Sequence, residues 1–318
     1  MGQYEARRNR FNQTRDDGIT GLTESYRRSN GYAYTHILLP WQLDVTLGVS
    51  LDSYRSPKIS DHVQANPKLG IMWNPTPDTT VRMAAFRNLN WARNEYASIE
   101  PTQVAGFNQL YYDPTGTSFW RYGFGIDHKL DNNLMMGGEA SYRALAAQPL
   151  FDTPSDQYER WREESYRAYL NWAMAEQWSV ALNYHLDKFR SDFQGNVTPL
   201  LAYFPTTETH TPSLSLRFFH PYGFWAQLEP MYVAQIAHGF DLGNWQEQKK
   251  QNNFFLMDLS MGYRLPQKLG MIKFQIRNLF DQHFSYQSEF WRMNNNGLDL
   301  APQFYPARTI TGQIILSF

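Results

Sequence analysis

Apolar and polar residues take turns along most of this chain. Leu43, Val45, Leu47, Val49 and Leu51 alternate with Asp44, Thr46, Gly48, Ser50 and Asp52, a period of two that puts the two sets on opposite faces of a strand. Trp120, Tyr122, Phe124 and Ile126 alternate in the same way with Arg121, Gly123, Gly125 and Asp127, and Leu134, Met136, Ala140 and Tyr142 oppose Glu139, Ser141 and Arg143. The design returns in Trp178 to Asp187, Phe255 to Arg264, and Ile272 to Arg277. Charge falls on the polar face again and again.

These segments run to about a dozen residues, against the five or six of an ordinary soluble strand and close to the tilted span a bilayer demands. Short runs of turn formers join them at Leu39-Pro40-Trp41, Asn74 to Asp78, Asp131-Asn132-Asn133, Ala175-Glu176-Gln177, His220 to Gly223 and Pro266-Gln267-Lys268. Long connections separate the hairpins at residues 12–30, 55–65, 90–117, 145–159, 190–206, 237–250 and 283–303. A soluble sandwich also alternates, so strand length and loop asymmetry decide between the two. With a weak first strand near residues 3–11, the pattern predicts about fourteen strands. The expected fold class is all-β: a transmembrane antiparallel up-and-down β-barrel with short periplasmic turns and long extracellular loops, forming a single domain over residues 1–318.

Aromatic residues make up 16% of the chain, and Trp41, Trp73, Trp172, Trp178, Phe224 and Tyr263 lie beside the short turns, where a headgroup-level girdle is expected. Pro212 and Pro230 each remove a ladder donor and predict strand ends, bulges or an edge. No stretch approaches the length of apolar sequence that a spanning helix needs. The net charge of -1 argues against a nucleic-acid partner. The absence of cysteine excludes a disulfide framework, a thiolate metal site and a cysteine nucleophile. Residues 1–18 carry Arg7, Arg8 and Arg10 with no apolar run behind them, so they are not a secretory signal. Met1 is therefore expected to open a mature chain or a piece of a longer one.

The last segment places Ile310, Ile314, Leu316 and Phe318 on one face. It resembles the C-terminal signal that barrel-assembly machinery reads in bacterial outer-membrane proteins. Upstream, Asn278-Leu279-Phe280-Asp281, a long loop and then Pro306-Ala307-Arg308-Thr309 resemble the end of a TonB-dependent receptor barrel. Asn66 to Gly70, Trp73-Asn74-Pro75 and Val81 to Leu89 are similar to that family's mid-barrel. The run Glu100-Pro101-Thr102-Gln103-Val104-Ala105-Gly106-Phe107-Asn108-Gln109 instead resembles barrels attached to tetratricopeptide repeats. The resemblance implies outer-membrane lipid as the surroundings, a solute as ligand, and a periplasmic energy-transducing or tetratricopeptide partner. It departs from the family in lacking the plug domain and some strands of the about 22-stranded barrel, so energised uptake does not follow from it.

The candidate functional constellation is the charge on the polar faces. Lys68, Arg82, Arg121, Lys129, Arg143, Arg167, Arg217, Arg264, Lys273 and Arg277 stand against Asp44, Asp52, Asp127, Glu139, Asp187, Glu229 and Asp258. A dry core could not hold so many charges, because each would cost several kcal/mol. They are expected to line a hydrated lumen with a slight anion preference, cross-strand ion pairing being the alternative role. The loop at 90–117 is a candidate for solute capture or constriction. His185 and Asp187 have a spacing that a metal could use, but wall lining is the favoured reading. His210 and His283 have no nucleophile signature nearby, and no Gly-rich phosphate loop occurs, so neither an enzyme nor a cofactor is expected. The leading expectation is a receptor-like transport barrel. The alternatives are an export barrel linked to tetratricopeptide repeats and, less favoured, a rim enzyme.

Overall fold

The alternating segments form strands, and the turn-forming runs close them into hairpins. A computed structural model describes residues 5–15, 22–55, 62–90, 100–111, 113, 116–147, 159–192, 202–241, 246–284, 293–294 and 307–317. In chain order the strands are β1 (Glu5–Arg15), β2 (Leu22–Leu39), β3 (Leu43–Arg55), β4 (His62–Thr76), β5 (Thr79–Leu89), β6 (Gln103–Val104), β7 (Phe107–Asn108), β8 (Ser118–Asp131) and β9 (Leu134–Ala147). There follow β10 (Glu159–Ala175), β11 (Trp178–Ser191), β12 (Ala202–Phe219), β13 (Phe224–Asp241), β14 (Gln246–Arg264), β15 (Gly270–Arg277), β16 (Met293–Asn294) and β17 (Thr309–Leu316).

Fifteen strands form one antiparallel sheet, ordered β1-β2-β3-β4-β5-β8-β9-β10-β11-β12-β13-β14-β15-β17, with β16 beside β12. The up-and-down order and the six short turns are those the sequence predicts. The order ends on β1 and β17, and no pairing joins these two among the described residues. The turn Pro40-Trp41-Gln42 holds Trp41 at φ 64° and Gln42 at φ 59°, the left-handed pair that suits a strand-to-strand reversal. The chain divides into two units: residues 1–126, 141–162 and 191–193 form one, and residues 127–140, 163–190 and 194–318 form the other.

Several strands outrun the sequence expectation. β1 continues to Arg15, and β13 and β14 occupy most of the loop expected at 237–250. Gln246-Glu247-Gln248-Lys249-Lys250-Gln251-Asn252-Asn253 is polar throughout, yet it stays in register with β13 from Asp241↔Gln246 to Ala234↔Asn253. A backbone ladder needs no apolar face where both sides meet water, so the hydrophobic pattern stops before the strand does. The prolines also sit in strand interiors. Pro212 stays opposite Tyr184 and Pro230 opposite Met257. On the β12–β13 seam the pairs run His210↔Ala234, Ser213↔Met231 and Leu216↔Leu228, and the prolines fall in the two gaps. Both missing N–H donors are absorbed by one seam without a shift of register there.

The faces are inverted relative to a soluble sheet. In the first unit Ser50, Asp52 and Asn66 are 0–1% exposed, whereas Val49 is 43%, Leu51 59% and Val63 77% exposed. In the second, Thr207, Thr209, Gln235 and Ser260 are buried while Leu182, Tyr184, Phe255 and Phe274 are exposed. Trp41, Trp73, Trp172, Trp178, Phe224 and Tyr263 are all exposed beside their turns. In β17, which pairs with β15 from Gly270↔Leu316 to Arg277↔Thr309, Ile310, Ile314 and Leu316 are exposed, and Phe318 lies outside the described residues. Replacing Leu47 by Arg on the apolar face is expected to lower stability in lipid vesicles by about 2–4 kcal/mol. Urea unfolding of the vesicle-embedded protein measures it.

Candidate functional site

In the first unit, part of the connection expected at 90–117 returns to the sheet as a small hairpin. β6 and β7 pair through Gln103↔Asn108 and Val104↔Phe107. Ala105 (φ 46°) and Gly106 (φ 82°) make the reversal, a turn in which both central residues need positive φ. The Gln109 N–H donates to the Thr102 carbonyl (2.9 Å) and closes the base. The hairpin is not a solvated loop, for Val104 and Phe107 are 0–1% exposed and Gln109 is 2% exposed.

Strand glycines make room for it. A Cβ on Gly123 would stand 2.3–2.7 Å from three carbons of the Phe107 ring, and one on Gly70 would stand 2.8 Å from Val104 Cγ1. Each contact is closer than real Cβ atoms come. A Cβ on Gly106 would meet Arg82 Nη1 at 2.6 Å, and one on Gly48 would meet the Tyr34 ring at 2.6 Å. Glycine on the polar face of a strand thus marks where an interior side chain lies against the backbone.

Polar contacts hold the hairpin from both ends. Lys68, buried on β4, donates to Glu100 Oε1 (2.5 Å) and to Gln109 Oε1 (2.5 Å). Tyr34 donates to Glu100 Oε1 (2.7 Å), and Asn88 Nδ2 donates to the Gln109 carbonyl (2.9 Å). Arg121 Nη1 donates to the Asn108 carbonyl (2.9 Å) and to the Tyr111 hydroxyl, and Arg143 pairs with Asp113. Arg82 and Arg121 each lie 5.4 Å from the Phe107 ring, and Arg143 stands 3.4 Å from the Tyr111 centroid, within cation–π range. Beside this contact the wall satisfies itself. Asp52 accepts from Asn30 and Asn66 (2.6 Å each), and Gln64 donates to Asn66 and to the Asn88 carbonyl.

In the second unit the predicted charges are spread more thinly. Asp127 accepts from the Tyr169 hydroxyl, and Asp258 Oδ1 accepts from the Asn278 N–H (2.9 Å). Glu229 is half-buried opposite Asp258, and Glu139, Asp187 and Lys273 are also half-buried. Arg167, Arg217, Arg264 and Arg277 are exposed. A second segment turns onto the buried face here. Asn278 (φ 50°) is buried and bonds Gln282 through both ends of its amide, and Phe284 stacks on Phe254 at 4.1 Å over Val233 and Leu256. Asp281 accepts from the backbone and the guanidinium of Arg308 (3.2 Å each). The two terminal motifs singled out in the sequence are thereby one contact. His185 and Asp187 join no cluster of three metal-binding side chains among the described residues.

Of the predicted charges, the fold gathers Lys68, Arg82, Arg121 and Arg143 around one hairpin. Glu100, Gln109, Tyr34 and Phe107 are the participants that the charge pattern does not reveal. The glycines at 48, 70 and 123 are the signal that points to them.

No protein-family model and no curated protein matches this sequence. Solved structures do match its fold. The FrpB iron transporter from Neisseria meningitidis superposes with a TM-score of 0.63 at 11% identity, covering 93% of this chain and 46% of that one. The ferric enterobactin receptor from Pseudomonas aeruginosa gives 0.60 at 15%, covering 98% and 48%. The ferripyoverdine receptor of the outer membrane of Pseudomonas aeruginosa gives 0.54 at 14%, covering 85% and 37%. The chain therefore spans less than half the length of these structures and has the barrel fold of TonB-dependent receptors.

Gly123→Val is expected to drive the Phe107 ring from its seat and to cost about 1–3 kcal/mol. Adding Phe107→Ala should recover much of that loss. Urea midpoints of the two variants and the parent check it, and an unchanged midpoint for Gly123→Val would show that the ring does not rest on this glycine.

Proposed function

We propose that this chain is a single barrel domain of the bacterial outer membrane that binds or passes a solute through a hydrated, charged lumen, as a non-enzymatic, receptor-like transporter. The observation that supports it most is the inversion of the faces, with Ser50, Asp52 and Asn66 buried and Val49, Leu51 and Val63 exposed. A membrane barrel with a polar interior accounts for this, and a water-soluble sheet does not. The cations Lys68, Arg82, Arg121, Lys129, Arg143, Arg167, Arg217, Arg264, Lys273 and Arg277 outnumber the anions Asp44, Asp52, Asp127, Glu139, Asp187, Glu229 and Asp258, and with Glu100 and Asp113 of the inserted segment added the excess is small, so the lumen has a slight anion preference. The receptors and the transporter of similar fold are described by the iron complexes or iron they handle, which makes ferric complexes the first solutes to test. Outer-membrane lipid and the barrel-assembly machinery are its partners in this reading, along with a periplasmic energy-transducing protein.

A second reading, an export barrel with a tetratricopeptide partner, draws on the Glu100–Gln109 run. That run resembles the repeat-linked barrels and is the hairpin seated on the wall. Upstream sequence separates the two: a plug favours uptake, and helical repeats of about 34 residues favour export.

Reconstitution into a planar bilayer is expected to give discrete conductance steps, with a reversal potential displaced toward the anion equilibrium in a salt gradient. A cation-selective reversal potential contradicts the charge argument, and the absence of any conductance contradicts an open lumen.

A further inference from the structure

The cations beneath the hairpin have an arrangement of their own. Lys68 on β4, Arg82 on β5, Arg121 on β8 and Arg143 on β9 come from four strands that follow one another in the sheet. The groups laid on this strip belong to the inserted segment. Glu100 carries a carboxylate to Lys68, and Asp113 carries one to Arg143. Between them the Phe107 ring lies against Arg82 and Arg121, and the Tyr111 ring against Arg121 and Arg143. The segment thus meets the strip with two carboxylates about one end and the other, and with aromatic faces in the middle.

From this complementarity we infer that the strip is an anion-binding site occupied in cis by the hairpin, and that its ligand in trans is a small multivalent carboxylate. Lys68 and Arg143 are buried, and a buried charge stripped of its partner is strongly destabilised. The hairpin can leave only if another anion takes over its carboxylate positions. Charge-assisted, two-point carboxylate binding to Lys and Arg supplies what such an exchange needs. A solute that binds the bare strip more tightly than the hairpin does shifts the segment off the wall, and one without that preference shifts nothing. The hairpin therefore acts as a competitive occupant of the lumen. The inference rests on the proposed lumen, through which a solute reaches the strip.

The test is titration calorimetry of the full chain, folded in detergent, with tricarballylate as the probe, a tricarboxylate. The Glu100→Gln/Asp113→Asn pair removes the competing carboxylates and keeps the shape of the hairpin. It is expected to bind the probe at least about tenfold more tightly than the parent, with the affinity falling as salt is added. Adding Arg121→Gln should abolish the gain. If the double variant fails to show the heat-dependent mobility shift of a folded barrel, Asp113→Asn alone is used and a smaller gain of about threefold is expected. Equal affinity of parent and carboxylate variants, or no binding by either, overturns the inference. Conductance measured on the same preparations separates the two ideas. A pore that does not bind the probe removes the anion site and leaves the proposed function standing, whereas probe binding without conductance removes the open lumen and leaves the site.

Discussion

The constraint on which this structure depends is that its apolar side chains face outward. In a water-soluble sheet the alternating apolar residues would be the core. Here Leu51 and Val63 are exposed while Asp52 and Gln64, one residue away, are almost fully buried. A polar interior cannot be held together by the hydrophobic effect alone. Its groups must satisfy one another, because a buried donor or acceptor without a partner costs about 1–3 kcal/mol. The Asn30–Asp52–Asn66–Gln64–Asn88 chain of hydrogen bonds is one answer. The hairpin laid over Lys68, Arg82, Arg121 and Arg143 is the other, and it brings both the missing counter-charges and aromatic surface.

The same logic explains why each unit carries an inserted segment of its own. In the first, glycines at 70 and 123 leave the backbone bare so that Val104 and Phe107 can approach it. In the second, Asn278 takes a left-handed conformation that asparagine tolerates better than most residues. It then turns the chain so that Phe284 covers Phe254. Asp281 and Arg308 tie the start of the last connection to its end. The surface pair is partly exposed and adds little energy by itself. It holds together the two ends of the connection between β15 and β17.

Much of this was legible in the sequence. The period of two from Leu43 to Asp52 specified both the strand and its two faces, and the turn residues placed all six short reversals. What the pattern missed follows from physics that alternation does not encode. Gln246 to Asn253 carries no apolar residue, so the start of a strand reads as the end of the 237–250 loop. Pro212 and Pro230 sit in strand interiors because one seam receives both gaps. Lys68 and Glu100 lie 32 residues apart, and nothing in the Glu100–Gln109 run announces that it folds inward. Only the glycines opposite it do, and they read as weak strand positions until the rings that fill them are known.

The most direct test of the inverted faces uses β10, where side chains of both sets are exposed. The chain has no cysteine, so single cysteines at Arg167, Asn171, Ala168 and Met174 can each carry a nitroxide in proteoliposomes. Labels at 168 and 174 should relax faster with oxygen, which concentrates in lipid, and labels at 167 and 171 with a water-soluble nickel complex. Loss of this alternation, or its reversal, would contradict a barrel that faces lipid with its apolar residues and water with its polar ones.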